Sequence, residues 1–128
     1  GNKNLINYIN KVTGPYDVNS FAITAALAAL NDKTYIDNYV LEVKKARKWI
    51  LNKFKSTKLR THFSGGNYFL IWPKKNPQIL IKQMREKGIL VRSMKNKKDI
   101  SNSIRVSIGN KEQMSFFWDN YKELDLID

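Results

Sequence analysis

The 128-residue chain contains no cysteine. A disulfide scaffold is therefore excluded, and so is any thiolate metal site. Histidine is nearly absent too. The single one, His62, cannot build a His-rich metal site by itself, and reads as a packed or exposed structural side chain. With one histidine and no cysteine, most nucleophile–base triads are unavailable. Long apolar runs are also missing: the nearest, Phe21 to Leu30, is Ala-rich and interrupted by Thr24, well short of the ~20 residues a membrane-spanning helix needs. Gly1 to Lys3 is polar, so no secretory signal is read and a cytoplasmic location is expected.

Negative charge is scarce. Eleven Asp and Glu face 23 Lys and Arg, a formal net charge of +12. Such a balance can mean a polyanion partner. Here the excess is mostly lysine and is scattered. The densest groups are Lys44, Lys45 and Lys48, and Lys95, Lys97 and Lys98. No aromatic-basic RNA motif or helix-turn-helix signature accompanies them. Solvated faces are the plainer reading, and nucleic acid is not the expected partner. No phosphate-cradling glycine loop, G-x-G-x-x-G, H-E-x-x-H or nucleophile elbow occurs.

What is present suits a folded domain. Apolar residues make up 42% and charged residues 27%, and the length allows one domain with a real core, 1–128. Asn4 to Asn10 reads as a short helix, broken by Thr13-Gly14-Pro15-Tyr16. Asn19 or Ser20 can cap an Ala-rich helix that runs to about Leu30. Asn31-Asp32 separates it from a long amphipathic helix, Lys33 to Lys55, where Ile36, Val40, Val43, Ile50 and Phe54 recur at helical spacing. Arg47 falls on that stripe and is expected to hold its guanidinium in water.

The period then changes. Leu59 to Phe63 and Asn67 to Trp72 read as strands joined across Ser64-Gly65-Gly66. Asn76-Pro77 starts a helix containing Ile79, Leu80 and Met84, and Gly88 suits the left-handed position past its end. Ile89-Leu90-Val91-Arg92 is expected as a short strand, Ser93 to Asn102 as a polar loop, and Ser103 to Ile108 as a further strand. Asn110 and Gln113 can form a capping box for a last helix with Met114, Phe117, Tyr121 and Leu124 on one side. The expected fold class is α+β: a small, mostly antiparallel sheet covered by helices on one face.

Two arginines stand apart in this lysine-rich chain. Arg92 ends one apolar strand, and Arg105 lies inside Ile104-Arg105-Val106-Ser107-Ile108. A guanidinium fork matches carboxylate or phosphate in two parallel hydrogen bonds, which an ammonium cannot do. Alternation alone would also put an arginine on the solvent face of a sheet. The residues leave both readings open for Arg105 and favour the solvent face for Arg92.

At these positions the chain resembles the C-terminal part of the histidinol-phosphate aminotransferase family, within the fold-type-I pyridoxal-phosphate enzymes. The similarity is carried by Gly1-Asn2-Lys3 with Leu5-Ile6, by Pro15-Tyr16-Asp17-Val18-Asn19 with the Ala-rich helix, and by Asn67-Tyr68-Phe69. It continues in Gly88-Ile89-Leu90-Val91-Arg92 and in Ile104-Arg105-Val106-Ser107-Ile108-Gly109-Asn110. The resemblance implies the small domain of such an aminotransferase, with residues 1–30 leading from a large domain that is not part of this sequence. It implies that Arg105 grips the substrate carboxylate or phosphate and that Arg92 helps with that anion. Asn67 is expected to be structural. The resemblance implies pyridoxal phosphate as cofactor, a homodimer, and a small amino-acid or amino-phosphate substrate. The cofactor lysine and the other cofactor ligands would precede Gly1, so no catalytic or cofactor-binding residue is expected in this chain. Alone it should neither bind pyridoxal phosphate specifically nor catalyse transamination. A threonine-phosphate decarboxylase of the same fold, or a free-standing basic module that binds polyanions, are the alternatives.

Overall fold

Asparagine starts four of the five α-helices among the described residues, 1–14 and 18–125 of this computed structural model. Asn2, Asn19, Asn76 and Asn110 each accept a hydrogen bond from a first-turn amide. These are donors a helix cannot satisfy internally. The described residues form two compact units, Gly1–Asp37 and Asn38–Asp128.

The first unit holds α1 (Lys3–Val12), α2 (Ser20–Asn31) and the start of α3 (Lys33–Lys55). The expected α1 gains a residue or two at each end. Asn19 caps α2, accepting from the Ala22 amide at 2.9 Å, and Ser20 is its first helical residue. Asp32 makes the break before α3. Its amide closes α2 onto Ala28 and Ala29, while its side chain accepts from the Tyr35 amide at 2.9 Å. No side chain of α1 or α2 is buried; Val12 is 86% and Phe21 90% exposed. The expected turn at Pro15-Tyr16, and the resemblance carried by Pro15-Tyr16-Asp17, lie outside the described residues.

The second unit is the α+β layer. Strands β1 (Arg60–Phe63), β2 (Tyr68–Trp72), β3 (Arg92–Ser93) and β4 (Ile104–Ser107) form one sheet in the order β1-β2-β4-β3, antiparallel throughout. Alternation sorts the strands into two faces. Phe63, Phe69, Ile71, Ile104 and Val106 meet Ala46, Ile50 and Phe54 of α3, Leu80 and Met84 of α4 (Pro77–Glu86), and Met114, Phe117, Trp118 and Tyr121 of α5 (Lys111–Leu124). Phe54 lies at the centre, edge-on to Trp118 at 5.0 Å and to Tyr121 at 5.7 Å. The opposite face carries Arg60, His62, Tyr68, Leu70, Trp72, Arg92, Arg105 and Ser107, as the pairing requires.

Three local devices fix this layer. Gly88, at φ +79°, takes the left-handed position past α4. Its amide reaches Arg85 O at 2.9 Å and the Ile89 amide reaches Met84 O at 2.9 Å, which is a Schellman closure. The expected capping box is present: Gln113 N donates to Asn110 Oδ1 at 2.9 Å, and Asn110 N to Gln113 Oε1 at 3.0 Å. The third device is a buried carboxylate. Asp125 accepts from the backbone amides of Lys74 at 3.0 Å and Lys75 at 2.8 Å, and from Tyr121 Oη at 2.9 Å. It ties the end of α5 to the β2–α4 loop.

Two expectations are corrected. Ile89-Leu90-Val91-Arg92 is not a strand; the ladder begins only at Arg92 and includes Ser93. Ile89 has already given its amide to the helix end, and Leu90 turns out to solvent at 78% exposure. Arg47 does not hold its guanidinium in water. It is half-buried, and its two terminal nitrogens donate to Ser64 O and, at 2.6 Å, to Gly66 O. An arginine of α3 thus donates to two carbonyls of the turn between β1 and β2.

Candidate anion-binding face of the sheet

His62, Leu70, Arg105 and Arg92 form one row across all four strands, each directly opposite the next. Leu70 is buried at 5% exposure and gives the row a dry centre. Arg105 is half-buried and Arg92 exposed. Directly opposed side chains have Cβ atoms ~5 Å apart, and like charges so placed repel. Neither arginine forms an ion pair among the described residues, where the recorded bridge joins Lys87 and Glu123. Two arginines opposed on one row, with no carboxylate paired to either among the described residues, are a candidate anion site.

The surroundings of the two arginines differ. The Arg105 guanidinium carbon sits 5.2 Å from the centre of the Tyr68 ring, within cation–π range. Arg92 lines a cleft of ≈ 430 Å³ with Gln78, Ser93 and Lys95, among others, at the start of α4. Arg105 does not line that cleft. The register brings the two residues together, and their side-chain environments separate them. A second cation–π pair, Arg60 4.0 Å from the centre of its opposed partner Trp72, lies on the same face.

Asn67 lies just before β2, and its carbonyl accepts from the Ile108 amide at 2.7 Å. That contact extends the β2–β4 pairing and is structural. His62 is exposed on β1. In the sequence, Tyr68 reads as part of the Asn67 to Trp72 strand and of the Asn67-Tyr68-Phe69 motif, with no role at the site. The signal that could have found it was the diagonal relation to Arg105, which needs the register.

None of the described lysines has the buried setting that carbonyl chemistry with pyridoxal phosphate calls for. A lysine suited to carbonyl chemistry is desolvated or set beside another cation, so that its amine is partly neutral. No described lysine is buried; the buried polar residues are Ser103 and Asp125. No step through the cofactor is assigned to these residues. No group of His, Asp and Glu able to hold a metal ion occurs among the described residues, and no helix there is long and apolar enough to cross a membrane.

Known proteins resemble this chain in sequence and fold. A histidinol-phosphate aminotransferase of Clostridium botulinum is 34% identical over 97% of this chain and 36% of its own length. One of Desulfotalea psychrophila is 32% identical over 96% of this chain and 33% of its own. The chain thus spans about a third of the length of these curated relatives. The crystal structure of the histidinol-phosphate aminotransferase from Clostridium acetobutylicum superposes with TM-score 0.70 at 25% identity, covering 98% of this chain and 39% of that one. The L-threonine-O-3-phosphate decarboxylase from Porphyromonas gingivalis shares the fold at TM-score 0.62 and 22% identity, over 95% of this chain and 39% of that one. Residues 1–118 match the family described as aminotransferase class I and II. With the family match running from α1 into α5, the chain belongs to the aminotransferase class I and II family.

Proposed function

We propose that this chain acts as the small domain of a pyridoxal-phosphate-dependent aminotransferase of the histidinol-phosphate type. Its part is to present Arg105, assisted by Arg92, to the carboxylate or phosphate of the substrate. The observation that carries the reading is the direct opposition of these two arginines on one row of the sheet. The cofactor, held by a large domain, supplies the electron sink; the sheet supplies an anion clamp and orientation. Strands hold such a clamp more firmly than loops.

The first unit supports the same reading. α2 is Ala-rich and apolar all round, yet none of its side chains is buried. Helices of that kind belong in the interior of a larger body. In the proposed enzyme, α1 and α2 lie against the large domain, within the homodimer that the family resemblance implies, in the cytoplasm as expected from the polar start of the chain.

The test uses the chain joined to a cofactor-bearing large domain, and follows both amino transfer and carbon dioxide release on amino acids with and without a phosphate. Amino transfer to a 2-oxo acid, without carbon dioxide, is the expected result. Carbon dioxide release instead would move the assignment to the decarboxylase. Neither activity, joined with salt-dependent binding to nucleic acid, would leave the basic module.

A further inference from the structure

Arg105 is a long side chain, free to adopt many rotamers, opposite a second positive charge. Something must hold its guanidinium over the sheet if it is to meet an anion in one geometry. We infer that Tyr68 is the positioning residue for Arg105, and that Gly66 and Arg47 set the Tyr68 ring. The inference rests on the anion-clamp reading of Arg105 and adds to it the residues that orient the clamp.

Tyr68 and Arg105 are diagonal neighbours on β2 and β4, since Tyr68 opposes Ser107 and Leu70 opposes Arg105. Diagonal neighbours lie within reach when one is aromatic and the other long. The guanidinium lies 5.2 Å from the ring centre. The ring also has a backstop: a Cβ at Gly66 would stand 3.0 Å from Cε1 and 3.2 Å from Cδ1 of Tyr68. It therefore rests against a bare α-carbon, in a position any side chain at 66 would disturb. Arg47 fixes that α-carbon from the other layer, by its 2.6 Å hydrogen bond to Gly66 O and its bond to Ser64 O. Helix α3 thus reaches Arg105 through the β1–β2 turn and one aromatic ring.

The experiment uses the full chain, labelled with ¹⁵N, and follows the Arg105 Nε–H resonance while inorganic phosphate is added. In the wild type, the ring current of Tyr68 displaces this resonance, and phosphate shifts it further with a measurable Kd. Tyr68→Leu removes the ring-current displacement and weakens phosphate binding about two- to fivefold. Tyr68→Phe keeps the ring and restores both. Gly66→Ala, which pushes on the ring without removing it, moves the resonance in the same direction as Tyr68→Leu. The inference is overturned if folded Tyr68→Leu and Gly66→Ala both leave the Arg105 resonance and Kd unchanged. If Tyr68 displaces the resonance in the wild type but phosphate does not shift it, the positioning stands and the anion-clamp reading fails.

Discussion

The phenol of Tyr121 donates to the carboxylate of Asp125 across 2.9 Å, and both side chains are buried. The same carboxylate receives the amides of Lys74 and Lys75, so one acidic side chain satisfies three donors. Asp125→Ala strands those donors and should lower stability by at least about 2 kcal/mol. Urea denaturation of the full chain measures it. A loss of a few tenths would mean that water replaces the carboxylate.

The same pair sets an alkaline limit. Burial first, then the charge and hydrogen bond of Asp125, hold the Tyr121 phenol well above its ordinary range near 10.0. The folded state therefore keeps a proton that the unfolded state loses. Its contribution is complete below about pH 10 and falls as pH rises beyond it. Tyr121→Phe should be less stable than wild type at neutral pH by about 1–2 kcal/mol, and the gap should narrow above about pH 10. A gap independent of pH would contradict the coupling.

Gly88→Ala forces a side chain into the left-handed region at φ +79°. The expected cost is about 1–2 kcal/mol, read as a shift in denaturation midpoint. By contrast, Lys87→Ala breaks the ion pair with Glu123, whose side chain is 68% exposed, and should change stability by less than about 1 kcal/mol. Equal effects at these two neighbouring positions would argue against the Schellman closure.

Arg47→Met retains much of the stem and removes both donors to the β1–β2 turn. Hydrogen exchange should quicken in the β1–β2 ladder next to the turn while the α5 amides stay protected. Uniform acceleration across the second unit would show that Arg47 supports the whole layer instead.

Much of this fold is written in local sequence. Asn76-Pro77, Gly88 and the Asn110–Gln113 box are short-range signals, and each sits where its chemistry places it. The alternation of Ile104, Val106 and Ile108 likewise gave the strand and its buried face. What local pattern could not supply was partnership across the chain. Asp125 meets Lys74 and Lys75 some fifty residues away. Arg47 sits on the apolar stripe of α3 and reads as a guanidinium reaching into water, whereas its acceptors lie in a turn 17 and 19 residues on. For Ile89 to Val91, composition argued for a strand, but the Schellman closure had first claim on the Ile89 amide. At the site, both arginines were legible as unusual, and their direct opposition was not, because register decides it.

The most direct test of the anion clamp compares Arg105→Ala with Arg60→Ala in the enzyme formed with a cofactor-bearing large domain. Both arginines lie on the same sheet face over an aromatic ring, so general loss of charge and stacking is matched. Arg105→Ala should raise KM for the amino donor strongly, with a loss in kcat/KM of about 2–5 kcal/mol, while Arg60→Ala leaves donor kinetics near wild type. Unchanged donor kinetics in Arg105→Ala, or equal losses in both variants, would contradict the assignment of Arg105 as the substrate clamp.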